Sequence, residues 1–124
     1  MTQEQRDLLM KDLCGRLPYG VICKDDYANV EGKLVQIGIN YDMCLLSDDY
    51  GKTEFAYIPN CKPYLFPLSS MTDEQKDIFG KLWWNTHGVN MAMHAIDYLN
   101  KNHFDHRGLI EKGLALDATG KNIY

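Results

Sequence analysis

Residues 61–75, from Cys61 to Gln75, read CKPYLFPLSSMTDEQ, and two different kinds of sequence meet there. Pro63 and Pro67 each remove a backbone donor and push the preceding residue toward extended geometry, so Lys62 to Leu68 is expected to be neither a central strand nor a helix interior. Tyr64, Leu65, Phe66 and Leu68 make the segment apolar all the same, which predicts a covering or edge segment laid against a core. Thr72 then has the character of a helix N-cap. Gln75 completes a capping box with it, and Asp73 and Glu74 match the positive end of the helix dipole.

Before this connector the chain reads as one helix and several short strands. Thr2 and Gln5 form another capping box, and Leu8, Leu9, Leu13 and Leu17 recur at helical spacing, which predicts a helix from about residue 3 to 14 with Gly15 as its stop. Asp7 and Lys11 suit an i, i+4 pair on its polar side. Strands are expected over Tyr19–Lys24, Lys33–Ile39, Tyr41–Leu46 and Thr53–Ile58, with a bulge or bend at Gly38 and a tight turn at Asp48-Asp49-Tyr50-Gly51. Phe55 and Tyr57 fall on one side of the fourth.

After the connector the period becomes helical. Ile78, Phe79, Leu82 and Trp83 form one stripe, with Trp83 expected in the core and Trp84 turned about 100° away. Thr86-His87-Gly88 is expected to break the helix. Asn90 then caps another, whose face is Ala92, Met93, Ile96 and Leu99, widened by Met91, Ala95 and Tyr98. Asn102-His103 ends that helix, and Asp105 caps a last short one that runs through Ile110 to Gly113.

The fold class that follows is α+β: a small antiparallel, barrel-like (SH3-like) sheet of four to five strands with an N-terminal helix and a C-terminal helical region. An open sheet backed by helices is the alternative. All 124 residues fit one domain, made of residues 1–61, the connector 62–71 and the helical part 72–124.

Composition narrows the function classes. Residues 1–71 carry seven Lys or Arg against ten Asp or Glu, and the remainder six against seven, for a net charge of −4. Neither half is a basic nucleic-acid module, which argues against nucleic acid as the partner. No apolar run approaches the ~18 residues of a membrane span, and no secretory segment is read at the start, so a cytoplasmic location is expected. Cys14, Cys23, Cys44 and Cys61 lack C-x-x-C spacing and read as reduced, mostly buried thiols.

His94, Asp97, His103, Asp105, His106 and Glu111 form the densest polar cluster, but H-x-H and H-x-x-x-H spacings are absent, so capping and surface roles are expected and no metal site is assigned. No phosphate-loop, dinucleotide or nucleophile-elbow motif occurs. No catalytic residue and no cofactor follows. The remaining candidates are aromatic, and the hypothetical interface consists of Tyr64, Phe66 and Trp84.

Three stretches, LPYGVICK at 17–24, KPYLFPLSSMTDEQ at 62–75 and LNKNHFDHRGLIEKGLAL at 99–116, resemble a group of small uncharacterised proteins encoded on bacterial phages and other mobile elements. The resemblance implies a cytoplasmic, host-acting accessory role and brings no catalytic residues. The leading expectation is therefore a non-enzymatic accessory protein acting on a host protein of unknown identity. Its alternatives are a nucleic-acid accessory factor using the barrel face and a small hydrolase or metal enzyme using the cluster between His94 and Glu111.

Overall fold

A computed structural model describes the chain over residues 1–84 and 89–124. Its elements are helix α1 (Gln3–Arg16), strands β1 (Ile22–Asp25), β2 (Val30–Gly38), β3 (Met43–Ser47), β4 (Thr53–Tyr57) and β5 (Cys61–Leu65), helices α2 (Asp73–Trp84) and α3 (Val89–Lys101), and the short strand β6 (Leu116–Asp117). The architecture is α+β. Among the described residues the strands make one sheet in the order β4-β3-β2-β1-β5-β6, antiparallel except for the β5–β6 pair.

The sheet is open, with β4 and β6 as its edges, so the expected closed barrel is not formed. It is nonetheless strongly curled. Cys44 on β3 and Cys61 on β5 have two strands between them, three spacings that in a flat sheet make about 14 Å. Their sulfurs approach to 3.6 Å. Part of the bend comes from a bulge at Val35, where the β2–β3 register shifts. Gly32 and Leu34 are buried before it and Ile37 packs on the core after it, whereas Val35 is exposed. The bulge therefore sits three residues ahead of Gly38, where it was expected.

β5 corrects the reading of its prolines. It lies inside the sheet, between β1 and β6, and Pro63 is fully buried. Asp26 donates to the Asn60 carbonyl (3.0 Å), and antiparallel pairs alternate, so Lys24–Lys62 is the next bonded pair and Pro63 faces Cys23 at a position needing no donor. On its other side β6 begins one residue later, opposite Tyr64. The missing N–H costs no ladder bond on either side.

At the next bonded position, Ile22 opposite Tyr64, the Ile22 N–H and the Tyr64 carbonyl meet through a side chain. The Tyr124 hydroxyl sits between them, accepting from the Ile22 N–H (2.9 Å) and donating to the Tyr64 carbonyl (2.7 Å).

α1 is capped as its sequence requires, with Thr2 and Gln5 exchanging both bonds. It runs through Gly15 to Arg16 and does not stop at the glycine. A Cβ at Gly15 would stand 3.3 Å from the Asn100 amide nitrogen, so the glycine serves close approach to α3. Leu9 and Leu13 are completely buried, each worth about 1.5–3 kcal/mol of hydrophobic stabilisation. Asp7 accepts from Gln3.

α2 begins with the expected box: Gln75 N–H donates to Thr72 Oγ1 (3.1 Å) and Thr72 N–H to Gln75 Oε1 (2.9 Å), a cap worth about 1 kcal/mol. α2 buries none of its residues, and Trp83 is 44% exposed rather than core, stacked on Phe79 at 6.1 Å. α3 already includes Asn90, so that residue is inside the helix and not its cap; the expected break at Thr86-His87-Gly88 lies outside the described residues. The inward ridge of α3 is Ala95, Leu99 and Asn100, while Met93 and Ile96 are exposed. No helix follows over 105–110, because the Asp105 carboxylate accepts the N–H groups of Leu109 (2.8 Å) and Ile110 (3.0 Å) and closes a run of turns.

Candidate functional site

α3 ends in a Schellman turn: Phe104 N–H bonds the Leu99 carbonyl (2.9 Å) and His103 N–H that of Asn100 (3.1 Å). The left-handed position belongs to His103, at φ 61°, where glycine is the ordinary choice. A β-carbon there costs about 1 kcal/mol or more. In return the imidazole is held flat against the Tyr124 ring, 3.6 Å between centroids and 15° between planes. Phe66 packs on both Tyr124 (5.9 Å) and Phe104 (6.3 Å). Its backbone joins the same unit, donating to the His103 carbonyl (2.8 Å) and accepting from the Asp105 N–H (2.9 Å).

Behind these rings lies a buried ionic group that the sequence reading did not single out. Asp12 and Arg16, one turn apart on α1, are both fully buried as side chains and bonded at 2.8 Å. Arg16 also donates to the Phe104 carbonyl (2.6 Å), tying α1 to the segment after α3. Arg107 Nε stands 3.3 Å from the second Asp12 oxygen without hydrogen-bond alignment. The signal was available: the i, i+4 spacing puts Asp12 and Arg16 on the face of Leu9 and Leu13.

His106 Nε2 lies 2.8 Å from the Asn100 amide oxygen, an acceptor, which assigns the ring hydrogen to Nε2. Burial first, and the Arg16 guanidinium second, hold both His103 and His106 down at about 4. An unfolded histidine titrates near ~6.5, so below that pH the unfolded chain takes up protons that the folded one refuses. Stability is then complete above pH ~6.5 and lost progressively as the pH falls toward 4. Urea midpoints between pH 6.5 and 5 should fall for the parent and stay nearly level for a His103→Gln/His106→Gln variant. Equal slopes would remove the assignment.

The other expected residues separate. His94, Asp97 and Glu111 are exposed, while His103 and Asp105 are buried in the roles just described. Among the described residues no group of three or more His, Cys, Asp or Glu is placed to hold a metal ion. Cys14 is exposed and the other three cysteines are buried. Burial pushes the Cys23 thiol up, and the hydrogen bond to Cys44 together with burial does the same for Cys61, which makes both poor nucleophiles.

Tyr64, Phe66 and Trp84 do not share one patch. Tyr64 is only 5% exposed, its hydroxyl donating to Glu31 (2.5 Å), and Phe66 is half-buried. Trp84 is 82% exposed. Gln75, near the start of α2, lines the same cleft as Phe66, and Trp84 lies roughly 13 Å farther along that helix. As the centre of an interface, only Trp84 has the exposure required.

No protein-family profile, curated protein or solved structure matches the chain. Among the described residues no helix is long and apolar enough to cross a membrane.

Proposed function

We propose that this chain is a non-enzymatic accessory protein that binds another protein through the outer face of the α2–α3 hairpin. The observation that carries the reading is that α2, twelve residues long, buries none of them although it bears Ile78, Phe79, Leu82, Trp83 and Trp84. A helix of that length is marginal in water without a packed apolar face. Here α3 supplies the packing on one side, and Ile78, Trp84 and, on α3, Met93 and Ile96 are left facing solvent. Exposed tryptophan and methionine are residue types enriched at interface centres.

The net charge of −4 suits a partner with a basic surface better than it suits nucleic acid. A cytoplasmic site and a host target, as the resemblance to phage and mobile-element proteins implies, belong to the same proposal. So does an SH3-like description of β1–β5, supported by a meander in which β5 returns to pair with β1 and by the curl of the sheet.

Trp84→Ala is the test. Its side chain is too exposed to support the fold, so the melting midpoint should match the parent, while affinity for a partner captured by the parent should drop by about 2 kcal/mol, roughly thirtyfold. Undiminished capture by the folded variant would reject the hairpin as the binding face. Capture abolished by nuclease would move the reading to nucleic acid.

A further inference from the structure

Beyond the hairpin, the cleft that begins at Phe66 has the features of a ligand site. It measures about 530 Å³ and lies among the start of α2, the end of α3 and the 119–124 segment. That size is in the range of small-molecule pockets. Its wall is aromatic and rigid. The Tyr124 ring is fixed at its hydroxyl by two backbone groups on different strands and at its face by His103, and Phe66 packs against it. A wall whose position is already set loses little freedom when a ligand arrives.

The charged side chains of the lining have one sign. In a chain with 17 acidic residues against 13 basic ones, no carboxylate side chain lines this cleft, and the ionic side chain that does is Lys101. Lys101 is exposed and in no ion pair among the described residues. Gln75 spends its amide oxygen on the Thr72 cap, which leaves the amide NH2 as its donor. The third feature is His103 itself. It lines the cleft at 8% exposure, in a left-handed conformation, and its Nδ1 is buried without a hydrogen-bond partner. Residues held in unfavourable backbone conformations cluster at ligand sites, which makes the placement of His103 in this wall a reason to look for one.

We propose that this cleft binds a small molecule consisting of a planar aromatic ring that bears one anionic group, a carboxylate or a phosphate. The ring packs on the exposed parts of Phe66 and Tyr124, and the anion pairs with Lys101 and takes the Gln75 amide hydrogen bond. A neutral ring loses the charge pairing. A bare anion loses the aromatic contact.

The experiment is a heteronuclear NMR titration of the full ¹⁵N-labelled chain with 2-naphthoate, 2-naphthyl phosphate, 2-naphthylmethanol and acetate. Saturable shifts confined to the amides of residues 101–104, 119 and 120 are expected for one or both anionic ring compounds, and which of the two binds tighter identifies the anion. Lys101→Gln, a surface change that leaves the melting midpoint in place, should weaken that binding about fivefold. Non-saturating shifts with all four probes would overturn the proposal. Equal binding of 2-naphthylmethanol and 2-naphthoate, or no effect of Lys101→Gln, would overturn it equally.

Discussion

Replacing Arg16 by methionine is expected to cost about 3–5 kcal/mol, a large part of the ~5–15 kcal/mol that holds a small domain together. The size of the effect comes from what stays behind. Asp12 is 1% exposed, and without the guanidinium its carboxylate keeps only the misaligned Arg107 contact at 3.3 Å. The Phe104 carbonyl loses its 2.6 Å donor as well. An uncompensated buried charge is far more costly than the pair is stabilising, so the companion variant separates the two. Asp12→Leu/Arg16→Met removes both charges and should recover most of the loss, with denaturant midpoints ordered parent, double variant, Arg16→Met. A single variant within ~1 kcal/mol of the parent would show that Asp12 finds water or a new partner when Arg16 leaves. Because Arg16 also holds His103 and His106 down, the single variant should move both imidazoles back toward their ordinary value.

Features governed by four or five neighbouring residues could be read directly from the chain. Both capping boxes, Thr2 with Gln5 and Thr72 with Gln75, form as written, and Asp48–Gly51 turns as its residues demand, with Gly51 at φ 81° and the Asp48 carboxylate accepting from Tyr50 and Lys52. Features governed by partners distant in sequence could not. Whether Pro63 may sit inside a sheet depends on the register of β1 and on where β6 begins, and β6 lies some fifty residues away. The inner face of α3 is set by what it meets, the Gly15 side of α1, and not by where its largest apolar residues fall. Helical spacing puts Met93 and Ile96 on one face with Ala92 and Leu99 without deciding what that face meets, and the same periodicity predicts Trp83 in a core that does not extend to α2. The cleft was invisible for a related reason. Its residues come from the stretches 66–75, 101–104 and 119–124, and Tyr124 joins them through ring contacts with His103 and Phe66 and hydrogen bonds to Ile22 and Tyr64.

That bridging role gives the second large effect. Tyr124→Phe keeps the ring, its stacking on His103 and its contact with Phe66, and removes one oxygen. The oxygen joins the Ile22 N–H of β1 to the Tyr64 carbonyl of β5. Without it the Ile22 N–H and the Tyr64 carbonyl face each other across a gap that a ring edge still fills. An unsatisfied backbone group costs about 1–3 kcal/mol, and two of them together set an expected loss of about 3 kcal/mol. The alternative response is for the ring to withdraw so that the strands close directly, which would preserve stability and break the stacking. Two measurements on one variant distinguish these outcomes: the denaturation midpoint, and amide hydrogen exchange at Ile22. A lowered midpoint with faster exchange at Ile22 supports the bridge, because the donor has lost its acceptor while the ring stays in place. An unchanged midpoint with slow exchange at Ile22 would mean that the strands pair without help, and the hydroxyl would then have no part in holding β1 to β5.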